Sequence, residues 1–182
     1  TLGIAGKYPG GFVERMQKDF AALPKGKPST VKLPPVAPLN ETRVTIVQKK
    51  TRAVAYSFGF PIDVTRNHPD FPALLVANTW FGPHRSSGGN LYQRMREIRG
   101  LNYGDYAYAE HFQQEGYGTH PMGNTPLRQQ YFGIWVRSVE NANRLFALRA
   151  AASTAKDTAE KGITQEELDR TRGFLGTYTR LW

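Results

Sequence analysis

Leu91–Tyr103 reads LYQRMREIRGLNY, and it carries a helix, a stop and the start of a strand in thirteen residues. On a wheel of 100° per residue, Leu91, Met95 and Ile98 fall on one face. Arg96 falls on the far side, turned toward solvent or a ligand. Gly100 stands where a helix C-terminus takes a glycine, and Tyr103 opens the strand that follows. An Arg late in a helix and a Tyr early in the next strand can converge on one patch. There the Arg presents a fork of N–H donors and the Tyr a hydroxyl, a combination able to hold a peptide carbonyl or a developing oxyanion. The plain alternative makes Arg96 a solvated helix residue and Tyr103 a strand aromatic.

Outward from this segment the periodicity alternates between helical and strand. Residues 2–5 form a short apolar run that predicts a strand. Phe12, Met16, Phe20 and Leu23 predict a helix ended by Pro24. Residues 25–42 are rich in Pro, Lys, Ser and Thr and read as an extended linker. Val44–Val47 and Ala53–Phe60 predict two strands of a hairpin across 49–52. A buried helix is expected with Pro69 in its first turn and Phe71, Leu74, Leu75, Val76 and Trp80 apolar nearly all round it. Gly82–Pro83 ends it. Further strands are expected at Tyr103–Phe112 and Gln130–Arg137, separated by a long loop over 113–128. Two helices close the chain, the first from Val139 to Glu160. The second is introduced by a Thr164–Glu167 capping box, in which each end can satisfy the other's amide.

This order predicts an α+β fold: a two-layer structure with a largely antiparallel sheet packed by helices on one face. Residues 1–24 supply a strand and helix of the same domain, 25–42 the linker, and 43–182 the main body. The start at Thr1 and the end at Trp182, inside a predicted helix, read as a segment cut from a longer polypeptide.

Composition removes whole classes of chemistry. The 182 residues hold no cysteine, so thiolate catalysis, disulfides and cysteine-ligated zinc are excluded. Lys and Arg number 24 against 15 Asp and Glu, a net charge of +9. The charge is dispersed, without a run of like residues, which favours a basic surface over a nucleic-acid tract. No apolar stretch is long enough for a membrane span. Ser86–Gly89 leads into a helix but lacks the Gly-Lys-Ser/Thr of a phosphate loop. Arg94, Arg96 and Arg99 with Tyr92 and Tyr103 leave a basic aromatic nucleic-acid surface as a further alternative. The four histidines, His68, His84, His111 and His120, include no pair at three- or four-residue spacing and predict no zinc site.

The pattern L-Y-x-x-x-R-E-x-x-G-L-x-Y resembles the second-domain signature of the pitrilysin/insulinase zinc peptidases, the inverted-zincin family that includes relatives of the mitochondrial processing peptidase. Four further pieces resemble the family in its own order: residues 2–23 with F-x-x-L-P at Phe20–Pro24, the G-F-P strand end at Phe58–Pro61, the Ala73–Gly82 helix before a Gly/Ser turn, and the late I-T-x-E-E-L-x-R helix at Thr164–Arg170. The resemblance implies a clamshell of homologous α+β domains. One domain would carry an inverted H-x-x-E-H zinc motif, and this one would face it across a chamber. It also implies that Arg96 and Tyr103 bind substrate and assist catalysis, while zinc stays in the parent enzyme and is not bound by this segment. The expected partners are a peptide or small unfolded protein, and a zinc-bearing domain or subunit. A non-catalytic relative that serves binding or assembly has the same sequence features. An exported or periplasmic location is a preference only.

Overall fold

The computed structural model describes residues 2–27, 38–83, 86–109 and 129–181. The chain divides into two compact units, Thr1–Val36 and Ala37–Trp182. The boundary falls inside the Pro-rich 25–42 stretch.

In the first unit, helix α1 spans Phe12–Phe20, with Gly11 at its N-cap in the left-handed region. That conformation suits a residue without a Cβ. The rings of Tyr8 and Phe12 meet in a tilted contact, 5.5 Å between centroids. Residues 2–5, expected as a strand, belong to no ladder. A short apolar run becomes a strand only where another strand receives its hydrogen bonds.

The second unit is built on a three-stranded antiparallel sheet in the order β1-β3-β2, with β1 Ala53–Ile62, β2 Asn102–Tyr108 and β3 Gln130–Glu140. The last strand in sequence lies in the middle, between two strands that precede it. Tyr56, Phe58 and Phe60 of β1 stand opposite Val136, Ile134 and Phe132 of β3. These aromatic and branched cross-strand pairs stabilise the sheet on the face that is covered.

The expected hairpin between Val44–Val47 and β1 does not form, and Ile46 is 87% exposed. Strand-like composition records fitness for a half-buried pleated surface, not a backbone preference. β1 finds its matching surface on β3. The register shifts between Val54 and Ala55, leaving Ser138 unpaired at φ 40°. This bulge is the one place among the described residues where a side-chain-bearing residue enters the left-handed region.

Helices cover one face. Helix α2 runs Phe71–Phe81, α3 is the short Asn90–Tyr92, α4 spans Arg144–Lys161 and α5 spans Gln165–Tyr178. Ala147 and Ala151 of α4 lie in one buried cluster with Leu91, Met95, Ala107, Ile134, Val136 and Val139. Small side chains four residues apart let α4 approach the sheet closely. The capping box at the start of α5 is formed. The Thr164 amide donates to Glu167 at 3.0 Å, and the Glu167 amide donates to the Thr164 hydroxyl at 3.3 Å.

Three further expectations are corrected. Pro69 precedes α2, and Pro72 is the proline in its first turn. Helix α2 is half-buried, with only Asn78 and Phe81 fully covered, because it packs between α5 and the sheet edge with one flank in solvent. Val139 belongs to β3 and not to α4. It is buried between Val54 and Asn102 on the two flanking strands, a position that suits a β-branched residue.

Candidate functional site

The Leu91–Tyr103 segment does not continue as a regular α-helix. After α3, residues Gln93–Glu97 form a π-helical turn, with the Ile98 amide donating to the Gln93 carbonyl at 3.0 Å. The Leu101 amide donates to the Met95 carbonyl at 3.0 Å and carries the chain into β2. A wider turn advances fewer degrees per residue, so positions beyond it lag behind the 100° wheel. Leu91 and Met95 are fully buried, as the wheel predicts, but Ile98 is 70% exposed. Arg96 is rotated from the far side of the wheel into a half-buried position.

The rotation brings Arg96 and Tyr103 together. The Arg96 guanidinium lies 5.1 Å from the Tyr103 ring centroid and 5.0 Å from that of Tyr92, between two aromatic faces. One of its N–H groups donates to the Tyr92 hydroxyl. Each such contact between a cation and a ring contributes roughly 0.5–2 kcal/mol and holds a flexible side chain in one orientation. Tyr103 is 69% exposed, so the patch is open to a ligand. Tyr92, which sequence reasoning noted only as one of several aromatics, is the residue that completes it. Its signal was the i, i+4 spacing to Arg96.

The turn is tied to its surroundings. Arg94 donates to Asp157 of α4 at 3.1 Å, and this bond holds the Asp157 carboxyl below the usual range. The Arg99 guanidinium donates back to the Arg94 carbonyl at 2.6 Å.

Beneath the patch lies Asp105, 1% exposed. Tyr103, Asp105 and Ala107 share one strand face, because alternate residues of a strand point the same way. Asp105 accepts from Asn102 Nδ2 at 2.9 Å. Burial pushes its carboxyl up to about 6, against the lowering effects of the Asn102 hydrogen bond and the Arg96 charge. The folded state therefore holds this proton more tightly than the unfolded chain, whose carboxyl titrates near 4. The stability it contributes is complete below about pH 4 and is lost as the pH rises through 6, a difference of about 3 kcal/mol. Asp105→Asn removes the cost of a buried charge. Urea unfolding should show the variant gaining on the wild type by about 2–3 kcal/mol between pH 4 and pH 7.

The Ser86–Gly89 turn is shaped by packing. The backbones of Gly82 and Gly89 approach so closely that a Cβ on Gly89 would lie 2.4 Å from the Gly82 Cα. The Gly82 carbonyl accepts from the Ala107 amide of β2 at 2.7 Å. At the other end of the sheet is an open groove of about 390 Å³, lined by Leu39, Ser57, Gly59, Pro61, Tyr131 and Gly133 among others. It takes no residue from the Arg96 patch.

Among the described residues no group of three His, Asp or Glu side chains could hold a metal ion. His68 stands 3.8 Å from Asp70 at the surface, before α2. These residues do not fit a zinc site. His84, His111, His120 and the 113–128 loop lie outside the described residues. No helix among the described residues is long and apolar enough to cross a membrane.

Comparison with solved structures supports the fold. A crystal structure of a peptidase M16 inactive domain from Pseudomonas fluorescens superposes with a TM-score of 0.55 at 23% identity, over 69% of this chain and 26% of that one. A conserved protein from Enterococcus faecalis V583 gives 0.53 at 16% identity, over 70% and 25%. The chain thus spans about a quarter of the length of each. No curated protein matches it. The sequence model of the peptidase M16 inactive domain, however, matches residues 1–175, and with a match of that extent this chain belongs to the peptidase M16 inactive-domain family.

Proposed function

We propose that this domain forms one wall of the chamber of a zinc-dependent endopeptidase, and that Arg96 and Tyr103 grip the backbone of a peptide or small unfolded protein there. The zinc is supplied by another domain of the parent polypeptide or by a partner subunit. The observation that supports this reading is the Arg96 guanidinium fixed between the rings of Tyr92 and Tyr103 at an open surface.

Arg carries five N–H donors in a rigid fork and Tyr one hydroxyl. A peptide carbonyl is a neutral acceptor. When a nucleophile adds to its carbon, the oxygen takes on negative charge, and a cation with a phenolic donor beside it binds the anion more strongly than the carbonyl. That difference is what accelerates a reaction. Stacking between two rings orients the fork before the substrate arrives, so little reorganisation is needed. The pair supplies donors and charge. It supplies neither a general base nor a nucleophile, in keeping with an assisting role.

The test is zinc content and cleavage of an unstructured peptide by the parent polypeptide, beside a version carrying Arg96→Ala and Tyr103→Phe. Zinc-dependent cleavage that falls ~100-fold in the still-folded variant is expected from the loss of two transition-state donors. Unchanged turnover would remove the role assigned to the pair. A parent that binds peptide but neither zinc nor cleaves would belong to a non-catalytic binding or assembly subunit.

A further inference from the structure

We propose that Asp105 is the positioning residue of the Arg96–Tyr103 pair: its ionised carboxylate holds the Arg96 guanidinium over the strand, and its protonation, accompanied by a flip of the Asn102 amide, loosens that hold. The coupling between Asp105 and Arg96 acts across the face of β2 that Tyr103 and Asp105 share, with the Arg96 guanidinium over the Tyr103 ring. Its consequence for peptide binding rests on the function proposed above.

Three observations meet here. First, Tyr103 and Asp105 lie on the same face of β2, so a guanidinium stacked on the Tyr103 ring is within electrostatic reach of the Asp105 carboxyl. Burial raises the Asp105 carboxyl, and the Asn102 hydrogen bond and then the Arg96 charge favour its ionised form. Second, Asp105 is buried without enough donors for a permanent charge. Only its Oδ2 is bonded, to Asn102, while Oδ1 is buried and has no hydrogen-bond partner among the described residues. Third, Asn102 is buried too, and its own Oδ1 is likewise without a partner among them.

The pair therefore has two complementary states. An ionised Asp105 only accepts, and it takes the Asn102 Nδ2–H bond. A protonated Asp105 has an O–H to donate, and turning the Asn102 amide over offers Oδ1 to receive it. Each state contains a good hydrogen bond, so the proton can come and go without unfolding the site. What changes is the charge beneath Arg96.

Among the described residues, the other elements on this face present apolar or paired side chains. β3 presents Val136 opposite Asp105 and Val139 opposite Asn102. Helix α4 presents Ala147, Ala151 and Thr154, and the π-helical turn buries Met95. Arg94 and Asp157 are paired with each other, and Glu97 of the same turn is exposed. Arg96 and Asp105 thus read one another with little interference.

The experiment is a ¹³C-carboxyl NMR titration of Asp105 in the protein, in Arg96→Met and in Arg96→Lys, with Asp105→Asn to assign the signal. The expected wild-type midpoint lies near 6. Removing the cation should raise it by about one unit, with the Tyr103 ring signals following the same titration, and Arg96→Lys should restore most of the shift. A midpoint indifferent to Arg96→Met, with Arg96→Lys also unchanged, would overturn the coupling whether or not the protein binds peptides. In parallel, binding of an unstructured peptide should weaken on acidification through the same midpoint, and Asp105→Asn should abolish that limb. An acid limb that persists in Asp105→Asn would overturn the positioning role. Binding absent at every pH, with the coupling intact, would instead overturn the peptide grip alone.

Discussion

Replacing Gly89 with alanine is expected to destabilise the protein by about 2–4 kcal/mol. The backbone conformation is not the reason. Gly89 sits at φ −70° and ψ 144°, where alanine is at ease. The reason is space. The added Cβ would lie 2.4 Å from the Gly82 Cα and 3.1 Å from both the Gly82 nitrogen and the Phe81 carbonyl oxygen. All three are backbone atoms, so no side chain can swing aside and the two segments must separate. Separation pulls on the bond from the Ala107 amide to the Gly82 carbonyl and on Leu91, which lies against Gly82. Gly88 is the internal control, since a Cβ there meets nothing within 4 Å. Urea unfolding should give a lowered midpoint with an unchanged slope for Gly89→Ala. Gly88→Ala should stay within about 0.5 kcal/mol of the wild type. Equal effects of the two would mean that the close approach of Gly82 and Gly89 is not what holds this turn.

Met95→Ala is the second large effect, with an expected loss of about 3 kcal/mol. Met95 is fully buried in the cluster that joins Leu91, Phe81 and Ala151. Truncation removes its contacts and leaves a void that a close-packed interior fills only in part. Ile98→Ala is the informative partner. On a regular helix both side chains face the core, and both truncations would be costly. With the π-helical turn in place, Ile98 is exposed and its truncation should cost less than about 0.5 kcal/mol. Comparable losses for Met95→Ala and Ile98→Ala would argue for a regular helix and would return Arg96 to the outer side. Met95→Leu, close in volume, should cost less than about 1.5 kcal/mol. The comparison separates packing at this site from the aim of Arg96.

The two variants act on the same junction from opposite sides. Gly82 and Gly89 set how closely the turn before α3 lies against β2, and Met95 sets how the π-helical turn seats on the core. Arg96 follows Met95 directly, so core packing sets where its backbone lies, and the rings of Tyr92 and Tyr103 then orient its guanidinium. A functional side chain carried on such a turn is positioned by core residues.

What the sequence determined by itself was local or periodic. The alternation of Ala53–Phe60, the Thr164–Glu167 capping box and the glycine after Arg99 each state their structure within a few residues, because hydrogen bonds and side-chain spacing of that range decide them. The α+β class followed from the order of such elements, and Arg96 and Tyr103 stood out by their places at the end of a helix and the start of a strand. Tertiary structure decided whatever depends on distant partners. Val44–Val47 has strand composition but stands outside the sheet, while β1 takes its ladder from β3, about eighty residues away in sequence. Val139 reads as the start of a helix, and burial between two flanking strands places it in β3 instead. Asp105 gave no sign in the sequence, because a carboxylate among tyrosines acquires its character only when burial withdraws water and Arg96 comes near. The π-helical turn was invisible for a related reason: one wider hydrogen-bonded turn differs little in local energy from a regular one, and it comes with the bond from the Leu101 amide to the Met95 carbonyl that leads the chain into β2.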